Sequence, residues 1–111
     1  MNKRLTYSFF FLFTCLQYMD GQNANIWYFG NGAGIDFTNG YPMAINGELY
    51  TNEGCAVAND TYGKLLFYTD GTTVWNNKHD TISGAVGLGG GRSTTQSAVI
   101  VPISSKTGQY Y

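Results

Sequence analysis

Gly63-Lys-Leu-Leu-Phe-Tyr-Thr-Asp-Gly-Thr-Thr-Val-Trp-Asn76 decides the fold class. Leu65, Leu66, Phe67 and Tyr68 form a short run of large apolar side chains with no helical spacing. Asp70-Gly71 is a turn signal, and Val74-Trp75 resumes in a second short run. Two aromatic or β-branched runs joined by Asp-Gly read as adjacent antiparallel strands. Apolar residues in succession face both sides of a strand, so this hairpin expects cover on both faces.

The same grammar extends outward on both sides. Asn25–Gly30, with Ile26, Trp27, Tyr28 and Phe29, is a strand. An irregular passage from Gly32 to Pro42 follows. Ala44–Tyr50 reads as a tight hairpin turning at Asn46-Gly47, a pair suited to a type I′ turn. Gly54–Ala58 is a small-residue strand, Asn59–Gly63 a loop, and Lys64–Thr69 and Thr73–Asn76 are strands. A polar, Gly-rich passage covers Asn77 to Arg92. Ser97–Val101 is a further strand ended by Pro102, and Gln109-Tyr110-Tyr111 begins another. No stretch of residues 22–111 shows helical periodicity. The expectation is all-β: an up-and-down antiparallel meander in stacked sheets, as in propeller blades or sandwiches.

Composition divides the chain in two. All 15 Gly lie at position 21 or later, while Phe9, Phe10, Phe11 and Phe13 crowd the start. Lys3-Arg4, the apolar run Leu5–Leu16 and the polar Gln17–Gln22 have the layout of a secretory signal peptide over residues 1–21. The apolar run falls short of the ~20 residues of a membrane span. No stable membrane span is therefore expected once this signal helix is cleaved. Gly21 and Ala24 are the candidate small residues for cleavage. Leu12-Phe13-Thr14-Cys15 is the alternative, a distorted lipoprotein box with Cys15 as the lipidated residue. Cys15 leaves with the signal segment otherwise, and Cys55 then stands alone, among small neighbours that suit a buried thiol.

Of 6 basic and 7 acidic residues, loss of Lys3, Arg4 and Asp20 leaves 4 and 6. With 12% charged residues, electrostatic capture of nucleic acid is not expected. A 43% hydrophobic, 16% aromatic content argues against disorder.

No constellation stands out as catalytic, cofactor-binding or metal-binding. Gly87–Thr94 imitates a phosphate loop but has Val86 and Arg92 where Gly and Lys are needed, and a strand where a helix should follow. His79-Asp80 is the one imidazole–carboxylate neighbourhood, read as a solvated loop unless Asp70 approaches it. Glu48 and Glu53 paired with Asp70 or Asp36 are the candidate glycosidase-type acid and base, against the ordinary reading of turn carboxylates. Asp60 and Asp70 lack calcium-loop spacing. Tyr41, Tyr50 and Tyr62, beside turns, are the candidate ligand-stacking residues. Asp80-Thr81-Ile82 matches a bacterial O-glycosylation pattern, with Thr81 as acceptor.

Asn25-Ile-Trp-Tyr-Phe-Gly30, Gly34-Ile-Asp-Phe37, Asn52-Glu-Gly-Cys-Ala56, Gly63-Lys-Leu-Leu-Phe-Tyr-Thr-Asp-Gly71, Val74-Trp75-Asn76 and Thr95-Gln-Ser-Ala-Val-Ile-Val-Pro102 together resemble a known family. It is the N-terminal β-propeller region of large secreted surface proteins of gliding bacteria. Those proteins are often followed by PKD-type modules and a gliding-motility or type IX secretion sorting domain. Phe67-Tyr-Thr-Asp70 is also similar to the repeat signature of another propeller class. The resemblance implies an incomplete propeller over 22–111, about one blade and part of the next, at the front of a longer protein. It also implies a non-enzymatic secreted or cell-surface binding or scaffold module of an adhesin-like protein, whose partner is an extracellular protein or carbohydrate. The alternatives are a fragment of a secreted propeller-fold hydrolase acting on carbohydrate, and a self-contained small β-domain. The family supplies no catalytic residue to carry over.

Overall fold

The computed structural model describes residues 24–91 and 93–111. The signal segment 1–21, with the lipidation candidate Cys15, lies outside the described residues, as does Arg92.

Among the described residues there are seven strands and no helix: β1 Ile26–Phe29, β2 Asn31–Asp36, β3 Met43–Tyr50, β4 Ala56–Asn59, β5 Leu65–Thr69, β6 Thr73–Asn76 and β7 Thr81–Val86. They form two antiparallel meanders, β1-β2-β3 and β4-β5-β6-β7. The first strands of the two meanders, β1 and β4, are spatial neighbours.

Cross-strand partners share a face, which assigns the interior. Tyr28, Gly34 and Ile45 are partners in the first sheet, and Val57, Tyr68 and Trp75 in the second. These two rows meet. The Tyr28 and Tyr68 rings stack at 4.4 Å and 24°, and Tyr68 stacks on Trp75 at 5.4 Å and 18°. Leu49 completes the buried cluster, with Ile26, Ile45, Cys55, Val57 and Leu65 packed around it. Side chains of β4 and of the residue before it also seal the edge of β1. The Cys55 thiol donates to the Tyr28 carbonyl at 3.2 Å, and Asn59 Nδ2 donates to the Ile26 carbonyl at 3.0 Å. Burial pushes the Cys55 thiol pKa up, which keeps it a neutral donor.

The second sheet is packed on its other face at β4 and β5. Its outer row includes Ala58 and Phe67. Ala58 is buried, and Phe67 meets Tyr110 edge to face at 5.2 Å. Residues 101–111 fold back as a short ladder: Val101 and Tyr111 exchange backbone bonds, and Ile103 N–H donates to Gln109. The segment before it lies directly on glycine backbone. A Cβ at Gly71 would fall 2.5 Å from the Ser97 carbonyl oxygen, and one at Gly54 2.6 Å from that of Thr94. The double cover inferred for the Leu65–Tyr68 strand is therefore present.

Four expectations are corrected. Ala44–Tyr50 is no hairpin: Asn46-Gly47 lies inside the continuous strand β3. The reason is the Tyr28 ring, which rests on glycine; a Cβ at Gly47 or Gly34 would lie 2.6 Å or 2.8 Å from it. The same contact explains why the irregular passage begins with a real strand, β2. The Gly-rich passage after Asn77 holds β7, an exposed edge strand that needs no apolar signature. Ser97–Val101 is not a strand; backbone pairing begins at Val101, with a bridge between Pro102 and Tyr110.

The outer edges are irregular. Gly32 alone on β2 faces Gly47, Glu48 and Leu49 of β3. Val74 alone on β6 faces Ile82 to Ala85 of β7, where Gly84 has φ 76°. These are bulges, which add local twist and break the ladder.

Turns are built by Asp and Asn side chains. Asp70 Oδ1 accepts from Thr72 N–H, Thr72 Oγ1 and Thr73 N–H at 2.8, 2.7 and 2.9 Å. Burial opposes ionisation of Asp70, but these bonds together outweigh it and hold the carboxyl below its usual range. A depressed pKa contributes stability above the unfolded value of about 3.9 that is lost as pH falls through the folded value. Asp70→Ala should thus lose about 1–3 kcal/mol at neutral pH, the cost of stranding these donors. In a urea-melt series, the gap to the parent should close as pH falls below about 4. A gap independent of pH would disprove the assignment.

Candidate functional site

The turns Asp60–Lys64 and Asn76–Asp80 are twins. In each, the first side chain's Oδ1 accepts backbone N–H from the third and fifth residues: Tyr62 and Lys64 at 2.8 and 2.9 Å, Lys78 and Asp80 at 2.8 and 3.0 Å. In each, the fourth residue donates its N–H to the first carbonyl. The fourth residue is left-handed in both, Gly63 at φ 79° and His79 at φ 68°. Glycine takes this conformation freely, whereas a histidine is strained there.

What holds His79 is its side chain. Nδ1 lies 2.9 Å from the Tyr68 hydroxyl, and the imidazole stands edge-on to Tyr28 and Tyr68, 5.8 Å from each. The Tyr68 oxygen also accepts the Glu48 N–H at 3.0 Å. The Tyr68 hydroxyl is thus bonded by both the Glu48 amide and the His79 ring, the direction of the second bond following the imidazole tautomer. Tyr68 has no exposed surface. Burial, opposed by the Glu48 N–H and aided by the Glu48 charge, raises its pKa. Burial, then the Tyr68 and Asp36 charges, raise that of Tyr28. The result is a cluster of buried Tyr28 and Tyr68 with half-buried Trp75 and His79 between the sheets. The solvated loop expected for His79 is thereby corrected. Asp70 does not approach it, since β6 separates the two turns.

Tyr41, Tyr50 and Tyr62 are all exposed, at 60%, 57% and 80%. They do not form one platform. Tyr41 precedes β3 and Tyr50 ends it, and since the bulged β3 spans the same length as the six residues of β2, they stand roughly 15–20 Å apart. Tyr62 lies at the Tyr41 end, because Asn59 bonds Ile26 there. Sequence reasoning missed the outer face of the first sheet, where Trp27 and Phe29 are half-exposed and Trp27 packs on Phe37 at 5.4 Å. The signal was strand alternation: with Tyr28 inward, its two neighbours must face out. Thr81 is exposed at the start of β7.

The carboxylates have local duties. Asp36 accepts from the Thr38 hydroxyl and N–H, and these bonds lower its pKa against a smaller effect of burial. Asp60 and Asp70 bind turn amides, and Glu53 meets Thr95 Oγ1 at 3.5 Å. Among the described residues, no three His, Cys, Asp or Glu are grouped to hold a metal. Gly87–Thr94 is stitched to the β5–β6 turn by Leu88 and Gly90 N–H bonds to Thr72 and Gly71. No described helix is long and apolar enough to cross a membrane. No protein-family model matches the chain, and neither a curated protein nor a solved structure is similar to it.

Proposed function

We propose that the chain is a non-enzymatic binding or scaffold module of a secreted or surface-attached protein, and that its meanders are successive blades of a β-propeller. The observation that carries this reading is the placement of β4 against β1. In a propeller, the first strands of consecutive blades lie side by side around the axis. A four-stranded antiparallel meander whose β5 packs on both faces, through Tyr68 on one and Phe67 on the other, suits a blade with neighbours. Val101, where backbone pairing resumes, stands 45 positions after Ala56, the first residue of β4. Four-stranded blades repeat every ~40–45 residues.

For the activity, the support lies in how side chains are used. Asp36, Asp60 and Asp70 are bonded within turns, while Trp27, Phe29, Tyr41, Tyr50 and Tyr62 present rings to solvent. Exposed rings suit stacking on sugars or on apolar peptide side chains. Incubated with a panel of insoluble polysaccharides and with a peptide array, the protein should be retained on at least one member without releasing reducing ends. Release of reducing ends would put the hydrolase in its place, and retention on none would remove the binding reading.

A further inference from the structure

Tyr68 is the one fully buried ring in contact with an imidazole, and its environment is specialised. Its hydroxyl is bonded on both sides, by Glu48 N–H at 3.0 Å and His79 Nδ1 at 2.9 Å. Aromatic rings stack on both of its faces, Tyr28 at 4.4 Å and Trp75 at 5.4 Å. His79 keeps a left-handed backbone where the twin turn has Gly63, so the fold tolerates strain to hold that imidazole in place.

We propose that Tyr68 is a one-electron redox site in which His79 is the proton acceptor and Tyr28 and Trp75 relay the hole. The oxidant is a small oxidising radical of the carbonate- or azide-radical class. In the step, the oxidant gains one electron from Tyr68. The phenol O–H bond breaks, an N–H bond forms at His79 Nδ1, and the products are a neutral phenoxyl radical and an imidazolium. A thiolate reductant returns the electron, and the proton moves back from Nδ1 to the phenol oxygen.

The geometry favours this ring over the others. A phenol losing an electron must also lose its proton, and in its Nε2–H tautomer His79 offers Nδ1 as an acceptor already in hydrogen-bond contact. The Glu48 N–H stabilises the phenoxyl oxygen, and burial shields the radical from coupling with another. Trp27, Tyr41, Tyr50 and Tyr62 are exposed and meet oxidants first. Tyr68 then serves as the sink into which their holes drain.

Pulse radiolysis of the full chain with azide at neutral pH tests this. A tyrosyl absorption should grow in as the tryptophan radical decays, slowed in deuterated solvent. Tyr68→Phe keeps the stack and should lose the long-lived radical. His79→Gln should slow its formation by about a hundredfold, the lower end of what a positioned proton acceptor contributes. An unchanged radical in Tyr68→Phe, or an unchanged rate in His79→Gln, would overturn the proposal. If either variant fails to fold, electron paramagnetic resonance of the parent decides. Isotope-labelled histidine must show nitrogen coupling to the radical, and its absence rejects the site.

Discussion

Tyr68→Ala abolishes the cooperative unfolding transition. Only Tyr28, Leu49, Ala58 and Tyr68 are buried apolar side chains among the described residues, and Tyr68 touches both sheets. Removing a buried aromatic side chain costs about 3–5 kcal/mol. The Glu48 N–H loses its partner, and the strained His79 backbone loses the bond that holds it. Domains have about 5–15 kcal/mol in total, and small ones lie at the low end. Near-ultraviolet circular dichroism through a urea titration should show a sigmoid for the parent and a sloping line for the variant. Tyr68→Phe keeps the rings stacked and should remain cooperative, weaker by about 1–3 kcal/mol for the hydrogen bonds. An alanine variant that still melts sharply, within about 1 kcal/mol of the parent, would show that hydrogen bonding between strands, not this stack, holds the sheets together.

Gly71→Ala should displace the segment that rests on the β5–β6 turn. Gly71 has φ 85°, and its missing Cβ would meet Ser97 O at 2.5 Å and Ser97 Cβ at 2.9 Å. Its carbonyl also accepts the Gly90 N–H at 3.0 Å. The left-handed backbone costs about 1–2 kcal/mol for a side-chain-bearing residue. Overpacking against a fixed backbone adds about 1–3 kcal/mol. The two sheets remain paired, so the loss concentrates in residues 88–97. Limited proteolysis should cut there many times faster than in the parent. Gly84→Ala is the control: φ is 76° and nothing lies within 4 Å, so it carries the backbone cost alone. Equal proteolysis in the two variants would mean that Ser97 does not rest on Gly71.

The Lys64–Asn76 hairpin was legible because every local signal agreed: apolar runs, an Asp-Gly turn, then Val-Trp. Asp70 does there what turn chemistry requires of it. The Asn46-Gly47 pair has the same signature and the opposite outcome. Its glycine is set by a ring that arrives from β1, 19 positions earlier, and no local window contains that ring. Gly34 was hidden for the same reason. β7 lacked a pattern because an exposed edge strand has no buried face to impose one. His79 was invisible as a structural residue because its turn resembles any polar loop until it is laid over Asp60–Lys64. The exposure of Tyr41, Tyr50 and Tyr62 followed from their turns, whereas their separation depended on β3 running straight through.

The bulged strands β3 and β7 bear on how the protein behaves when crowded. A flat, regular border exposes amides and carbonyls at even spacing, and any extended polypeptide can add to it and be added to in turn. Here both borders break that spacing, with three residues against one in β3 and four against one in β7. An incoming chain finds partners for a few groups and then loses step. The uncharged Thr-Ile-Ser-Gly-Ala-Val of β7, otherwise a ready seed for fibres, is thereby made a poor template, and a sheet-rich chain rich in exposed rings can be concentrated without zipping into its neighbours.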